Sequence, residues 1–233
     1  MQTDRYSGAQ SRSQTFDAGL RAHMSSVYNR MTIGVLITAI TAWIVSSSPD
    51  LMTLFLGGPQ KYIVIFAPLA IVWFGFNPMT MSSQKLKLAF IGVSVLYGIS
   101  FSAIAFAFAG AEIARAFFIT SGMFAGLSIF GYTTKKDLSA LGTFCMMGVI
   151  GVVLTSVIGI FVGFSDTMQI VLSAITVVVF AGLTAWETQN TKQMYNASHS
   201  AELNSRLAWS SALSLYISFV VMFSHILSLM QER

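Results

Sequence analysis

Seven long stretches without an acidic or basic residue other than histidine constrain the fold of this chain more than any other feature. They are residues 31–49, 62–84, 88–111, 116–134, 138–165, 167–186 and 207–231. A helix crosses the hydrocarbon core of a bilayer with roughly 20 apolar residues, and each stretch supplies about that number. Lipid offers no hydrogen bonds to the backbone, so the spanning segments must be helical. The sequence therefore predicts an all-α membrane protein with seven transmembrane helices.

The composition explains why these stretches cannot form the core of a soluble domain. Of the 233 residues, 55% are hydrophobic and only 9% are charged, too few to cover a water-soluble globule. A formal net charge of +4 would suggest nucleic acid as the partner of a soluble chain. In a membrane protein, basic residues instead set the topology and contact anionic headgroups. We expect the lipid bilayer, and not nucleic acid, as the partner.

The N-terminal segment and the basic residues predict the topology. Residues 1–26 are polar and include no apolar run of the signal-peptide type, so we assign a cytoplasmic N-terminal tail to 1–26 and a seven-helix transmembrane domain to 27–233. With the N-terminus inside, ten of the thirteen basic residues lie on the cytoplasmic side, and Lys61, Arg115 and Arg233 lie on the other. This asymmetry predicts that the C-terminus lies outside.

The sequence contains none of the common catalytic motifs. Its three histidines, His23, His199 and His225, are far apart in sequence, and there is no HExxH, CxxC, P-loop or GxSxG pattern. The lone cysteine, Cys145, lies within the fifth stretch and is expected to be a buried packing thiol. We therefore expect neither an enzyme nor a cofactor nor a metal site.

The seventh stretch has a polar stripe. At about 100° per residue, six of its polar side chains fall within an arc of about 100°. They are Ser210, Ser211, Ser214, Ser218, His225 and Ser228. A single serine can bond its own helix four residues earlier, but a whole stripe at that depth should face the bundle interior or a cavity. The last helix is therefore predicted to be central or to line a polar pathway, with apolar residues such as Tyr216 on its far side.

Glu187 ends the sixth stretch, in the segment GLTAWETQN (182–190). At a rise of about 1.5 Å per residue it lies about 28 Å along its helix, near the cytoplasmic boundary. The carboxylate could be an interfacial acid paired with Lys192. Alternatively, it faces a cavity and approaches the last helix near Ser211, Ser214 or Ser218.

Glycine and proline suggest how the helices pack. Gly122 with Gly126, and Gly159 with Gly163, have the spacing that allows two helices to approach closely. Pro68 is expected to kink the second span.

Three segments resemble the Bax-inhibitor family of transmembrane proteins, specifically its bacterial inner-membrane branch. They are HMSSVYNRMTIGVLITA (23–39), AFFITSGMFAGLSIFGYTTKKDLSALG (116–142) and VVVFAGLTAWETQNTKQM (177–194). The resemblance implies a multi-pass protein of the cell inner membrane in which six helices surround a central seventh. It also implies a proton-sensitive calcium leak, gated by a pair of carboxylates on the sixth and seventh helices.

The resemblance places Glu187 at the sixth-helix acid but leaves the second acid missing. In the matching stretch LYISFVV, Ser218 occupies the aspartate position. Two neighbouring carboxylates share a proton and so form a pH sensor, and a single glutamate lacks that coupling. His225 lies seven residues, or about 10 Å, beyond Ser218 and is a candidate relay.

Two hypotheses about function follow. The first is a pH-sensitive leak for calcium or protons, with Glu187, Ser218, His225, Ser214 and Ser211 as ion-path or pH-sensing candidates. The second is a non-conducting regulator that binds other inner-membrane proteins, such as a membrane-bound protease, through its N-terminal tail. A water-connected polar cavity would favour the leak. A sealed apolar core with a grooved outer face would favour the regulator.

Overall fold

Helices account for all the regular secondary structure that the structure describes. The structure is a computed structural model that describes the backbone of residues 2–231 and the side chains of residues 17–159 and 161–231. The helices are α1 Gln2–Ser46, α2 Pro49–Leu56, α3 Gln60–Phe74, α4 Ser83–Ala107, α5 Gly110–Thr133, α6 Ser139–Val162, α7 Asp166–Met194 and α8 Ala201–Gln231. The all-α prediction is confirmed.

Among the described residues, six helices are long and apolar enough to cross a bilayer by themselves, and α2 with α3, a pair bent by 71°, has the length and composition for a seventh span when the two are taken together. The second span therefore differs from the single helix over 62–84, kinked at Pro68, that the sequence predicted. The sharp bend lies between Leu56 and Gln60, where two glycines precede a proline, and not at Pro68, which lies within α3. The helix ends before Asn77 because a residue that precedes proline disfavours the helical conformation.

The first helix starts well before the first apolar stretch. Its inner face buries Leu20, Met24, Val27 and Met31 at helical spacing. Residues 17–26 of the predicted tail thus belong to the packed part of α1. The side chains of residues 1–16 lie outside the described part of the chain, and the tail prediction for them stays a prediction.

The last helix is central, as predicted. It packs against α1, α4, α5 and α7, while α3 packs on α4 and α6 packs on α7 at the periphery. Leu215, Tyr216, Ser218 and Met222 are all fully buried, although they point in different directions around α8. A helix enclosed on most of its sides by other helices buries both polar and apolar arcs.

The polar stripe is not the most buried side of α8, which corrects the simple interpretation of the helical wheel. Ser211 and Ser218 are buried. Four members of the stripe are only half-buried, namely Ser210, Ser214, His225 and Ser228. Tyr216, on the arc expected to be the apolar far side, is fully buried against α1 and α4, where its hydroxyl hydrogen-bonds Thr38 at 2.6 Å.

The spacing of Gly122 and Gly126 predicted a close helix contact at the wrong position in α5. A side chain added at Gly122 or Gly126 would meet no atom within 4 Å, so neither glycine mediates a helix contact. The close approaches occur at other glycines. Gly131 of α5 lies against the carbonyl of Ala185 in α7, and Gly98 of α4 lies against α1. Spacing alone shows that a close approach is possible but does not show which helix is opposite.

Polar contacts hold the α3–α4 and α7–α8 connections together at one end of the bundle. The Arg30 guanidinium donates to the Ser205 carbonyl at 2.7 Å, joining α1 to α8. Arg206 donates to the Pro78 carbonyl at 2.7 Å, and the Ser83 N–H donates to Glu202 at 2.8 Å. The α3–α4 and α7–α8 connections therefore lie at the N-terminal end of the membrane part of α1, as alternating spans require.

Candidate functional site

The Glu187 carboxylate is buried between α7 and α8. The Ser218 hydroxyl donates to Glu187 Oε2 at 2.8 Å, and the Glu187 residue is 9% exposed. Glu187 lies seven residues, or about 10 Å, before the end of α7, yet it turns inward to the central helix. The expected approach of this acid to the last helix is confirmed, and the contact is made by Ser218.

The interfacial alternative is wrong for this acid. The Lys192 ammonium donates to the Tyr132 carbonyl of α5 at 2.9 Å and lies 4.8 Å from the centre of the Tyr132 ring. Lys192 therefore holds the end of α7 against α5. The Glu187 carboxylate is contacted by Ser218 and not by Lys192.

Neighbouring side chains of α7 hold the Glu187 backbone in place. The Gln189 amide donates to the Lys136 carbonyl at 2.8 Å, and its oxygen accepts from the Leu138 N–H at 2.9 Å, which ties α7 to the α5–α6 connection. Trp186 packs its ring over Gly142 of α6. Trp186 and Gln189 hold α7 against α6 and the α5–α6 connection. The Glu187 side chain points away from both and toward α8.

Three threonines around Glu187 were not singled out from the sequence. Thr184, Thr188 and Thr191 are all buried. Thr184 and Thr191 donate to carbonyls of their own helix, and Thr188 donates to Ser128 of α5 at 3.4 Å. A helical wheel that continued past the sixth stretch to residue 191 would have found them, because positions 184, 187, 188 and 191 share one face.

The remaining candidates lie apart from Glu187. Within the described residues, Ser218 is the one predicted serine that hydrogen-bonds the carboxylate; Ser211 is buried and Ser214 is half-buried. His225 Nδ1 lies 3.1 Å from the Ser173 hydroxyl. Ser173 precedes Glu187 by fourteen residues, which is about 21 Å along α7.

An apolar section of the core separates His225 from Glu187. Between Ser218 and His225, the buried side chains of α8 are Phe219, Val220 and Met222. His225 instead lines an open polar vestibule of about 450 Å³ between the end of α6, the start of α7 and the end of α8. The structure does not connect the predicted relay to the carboxylate.

A second polar cluster was missed because tyrosine was counted as apolar. Thr38 of α1 donates to backbone carbonyls of Gly34 and Ser94, each at 3.0 Å, and pairs with the Tyr216 hydroxyl. The Tyr216 ring lies edge-on to Phe90 and Tyr97 of α4. This cluster fixes α8 to α1 and α4, on the side opposite to Glu187.

In the part of the chain that the structure describes, no three histidine, cysteine or acidic residues are grouped so that they could hold a metal ion. A single carboxylate with a hydroxyl neighbour can exchange a proton, and it can contact a cation only weakly. Calcium prefers six to eight oxygen ligands, several of them from carboxylates.

Comparison of the sequence with known proteins extends over nearly the whole chain. Residues 20–233 match the family described as Inhibitor of apoptosis-promoting Bax1. An uncharacterized protein of Rickettsia prowazekii is 35% identical over 226 residues, which are 96% of this chain and 94% of that protein. Inner membrane protein YbhL of Escherichia coli K12 is 35% identical over 224 residues, which are 93% of this chain and 94% of that protein.

Proposed function

We infer the function from one premise: this chain belongs to the Bax inhibitor family and is a multi-pass membrane protein. We propose that it is a proton-sensitive cation leak of the inner membrane, with its N-terminus in the cytoplasm and no catalytic role. The observation that supports this proposal is the buried contact between Glu187 and Ser218.

Burying a carboxylate within a transmembrane helix costs free energy, and a residue kept there at such a cost suggests a function. Ionisable side chains within transmembrane segments are expensive to bury and typically mark proton or ion pathways. The Glu187 side chain is buried against the central helix, where a hydroxyl is its partner. Trp186 and Gln189 anchor α7 without any contact from the Glu187 carboxylate. Helix packing alone therefore does not explain an acid at position 187.

The proton sensitivity follows from the chemistry of the contact. An ionised glutamate only accepts hydrogen bonds, whereas a protonated one also donates. Protonation therefore changes the bond between α7 and the central helix α8. The apolar section from Phe219 to Met222 is the closed barrier in this proposal, and a displacement of α8 would open it toward the vestibule at His225.

Ion flux into liposomes tests this proposal. Purified wild-type protein and Glu187→Gln are reconstituted, and calcium, potassium and proton fluxes are followed from about pH 5 to 8. We expect a measurable wild-type flux that varies with pH, and a Glu187→Gln flux that does not. Glu112→Gln, which changes an exposed acid at the start of α5, serves as the matched control and should behave like wild type. Fluxes equal to empty liposomes at every pH would refute the leak.

The second candidate is a non-conducting regulator that binds other membrane proteins. Two observations favour it: the apolar section of the core between Ser218 and His225, and the apolar grooves on the outer face. This candidate predicts no flux for any variant and a stable complex with another inner-membrane protein, such as a membrane-bound protease, after gentle solubilisation.

A further inference from the structure

A lateral groove runs along the outside of the bundle between α1 and α5. These helices each pack against α8 but leave a gap between themselves. The half nearer the N-terminal end of the membrane part of α1 has a volume of about 620 Å³, and its lining includes Arg21 and Tyr28 of α1 and Ala125 and Tyr132 of α5. The groove is almost entirely apolar along its walls.

The groove continues into the other half of the membrane. A second section, of about 480 Å³, is lined by α1, α4, α5 and α8. Val35, Phe117 and Phe219 line both sections, so the two sections are adjacent. Phe219, the neighbour of Ser218, forms the floor where they meet, and its ring packs edge-on against Phe117 and Phe124.

The dimensions of the first section fit a lipid chain better than a helix. From Arg21 to Val35 the groove extends about 21 Å at the helical rise, which is about half the thickness of a bilayer with its headgroups. Counted out to its open rim, the empty space of the groove is about 1300 Å³, which gives a mean cross-section of about 60 Å² over this length. A helix about 10 Å across needs about 80 Å², so it fits less well than a single acyl chain.

The charges at the mouth indicate the headgroup. Arg21 lines the groove at the end where it opens, and its side chain is exposed. Lys135 and Lys136, which are also exposed, follow α5 just after the groove-lining Thr133. Basic side chains at the membrane surface attract anionic lipids.

We propose that the groove between α1 and α5 binds one anionic phospholipid. An acyl chain lies between Tyr28 and Ala125 and reaches Phe219, and the phosphate contacts Arg21. The lipid thereby contacts the part of α8 next to Ser218. The proposal does not depend on ion conduction, since it concerns binding and would hold equally for a non-conducting regulator.

Lipid retention on the full chain tests the proposal. Detergent-purified protein is mixed with dioleoyl phosphatidylglycerol or dioleoyl phosphatidylcholine, freed of excess lipid and examined by native mass spectrometry. We expect one retained phosphatidylglycerol on wild type. Ala125→Trp and Ser121→Phe, which fill the groove, should lower retention about tenfold, equivalent to about 1.4 kcal/mol. Arg21→Gln should remove the preference for phosphatidylglycerol over phosphatidylcholine.

Matched variants away from the groove serve as controls. Ala140→Trp on α6 and Lys87→Gln on α4 change exposed residues in the same chemical way and should retain lipid as wild type does. Equal retention by Ala125→Trp, Ser121→Phe and Ala140→Trp would mean annular lipid only and would overturn the proposal. A wild-type dimer that Ala125→Trp dissociates would also overturn it, because the occupant would then be a second copy.

A measurement on the unaltered protein covers the case in which the filled-groove variants do not fold. Phosphatidylglycerol with a photoreactive acyl chain is irradiated with the wild-type protein in vesicles, and labelled peptides are mapped. Labelling concentrated on groove-lining residues of α5 and α8, such as Phe117 and Phe219, is the expected result. Labelling spread evenly over lipid-facing residues of α3 and α6 would refute the site.

Discussion

Ser218→Asp restores a second carboxylate opposite Glu187, and the structure allows its effect to be estimated. The Ser218 hydroxyl lies 2.8 Å from Glu187 Oε2. Two carboxylates about 4 Å apart at an effective dielectric constant of about 20 repel each other by about 4 kcal/mol. This energy disfavours double ionisation by nearly a thousandfold. The pair must then share a proton over a wide pH range, and flux should depend steeply on pH.

The flux assay compares four proteins in liposomes across a pH series. Wild type should leak calcium weakly and with a shallow pH dependence, because one acid and a hydroxyl hold the ion poorly. Ser218→Asp should strengthen and steepen the calcium flux. Ser218→Asp with Glu187→Gln should lose the new dependence, because the introduced acid has no partner. Ser228→Asp adds an acid to the same stripe, ten residues or about 15 Å further along α8, and should leave the wild-type profile unchanged.

Two outcomes would refute the reasoning about paired acids. One is a Ser218→Asp profile indistinguishable from those of wild type and Ser228→Asp. The other is a double mutant that keeps the steep pH dependence, since a single aspartate would then titrate without Glu187. Either result would leave the leak without a paired-acid gate, whereas only an absence of flux in all four proteins would favour the non-conducting regulator.

Three further predictions concern stability and topology. Gly131→Ala should destabilise the protein by about 1–3 kcal/mol through overpacking against the α7 backbone, whereas Gly122→Ala should not; thermal unfolding in detergent compares them, and equal melting temperatures would contradict the assigned contact. A reporter fused after Arg233, which lies outside the described residues, should be exposed outside the cytoplasm; a cytoplasmic reporter would mean that the spans are miscounted. Hydrogen bonds from the Ser139 hydroxyl and N–H hold the pKa of the Asp137 carboxyl below its usual range. Its stabilisation is thus present above the ordinary aspartate pKa of about 3.9 and is lost as the pH falls through the folded value, so Asp137→Asn should lower the melting temperature at neutral pH and have a smaller effect in acid; an effect that grows in acid would contradict the sign.

The contact between Glu187 and Ser218 is one that the polar stripe and the family resemblance predicted together. The polar stripe predicted a central last helix, and the resemblance placed Ser218 opposite the acid. What decided between an inward acid and one paired with Lys192 was the rotation of α7, which Trp186 and Gln189 fix against α6 and the preceding connection. No local pattern reports that rotation.

The errors share one physical origin. Gly122 and Gly126 have the right spacing for a helix contact, yet no helix lies opposite them, and Gly131 makes the close approach. Tyr216 looked apolar on a wheel, yet its hydroxyl meets Thr38. Each error concerns which surface of one helix meets which surface of another.

The sequence by itself determined the properties that depend on solvent and on neighbours along the chain. Stretches of about 20 apolar residues must span a bilayer as helices whatever their partners are. The bend between α2 and α3, the separation of His225 from Glu187 and the groove between α1 and α5 were decided only by the tertiary structure. They depend on the relative heights and rotations of helices, which are set by side-chain packing between residues far apart in sequence.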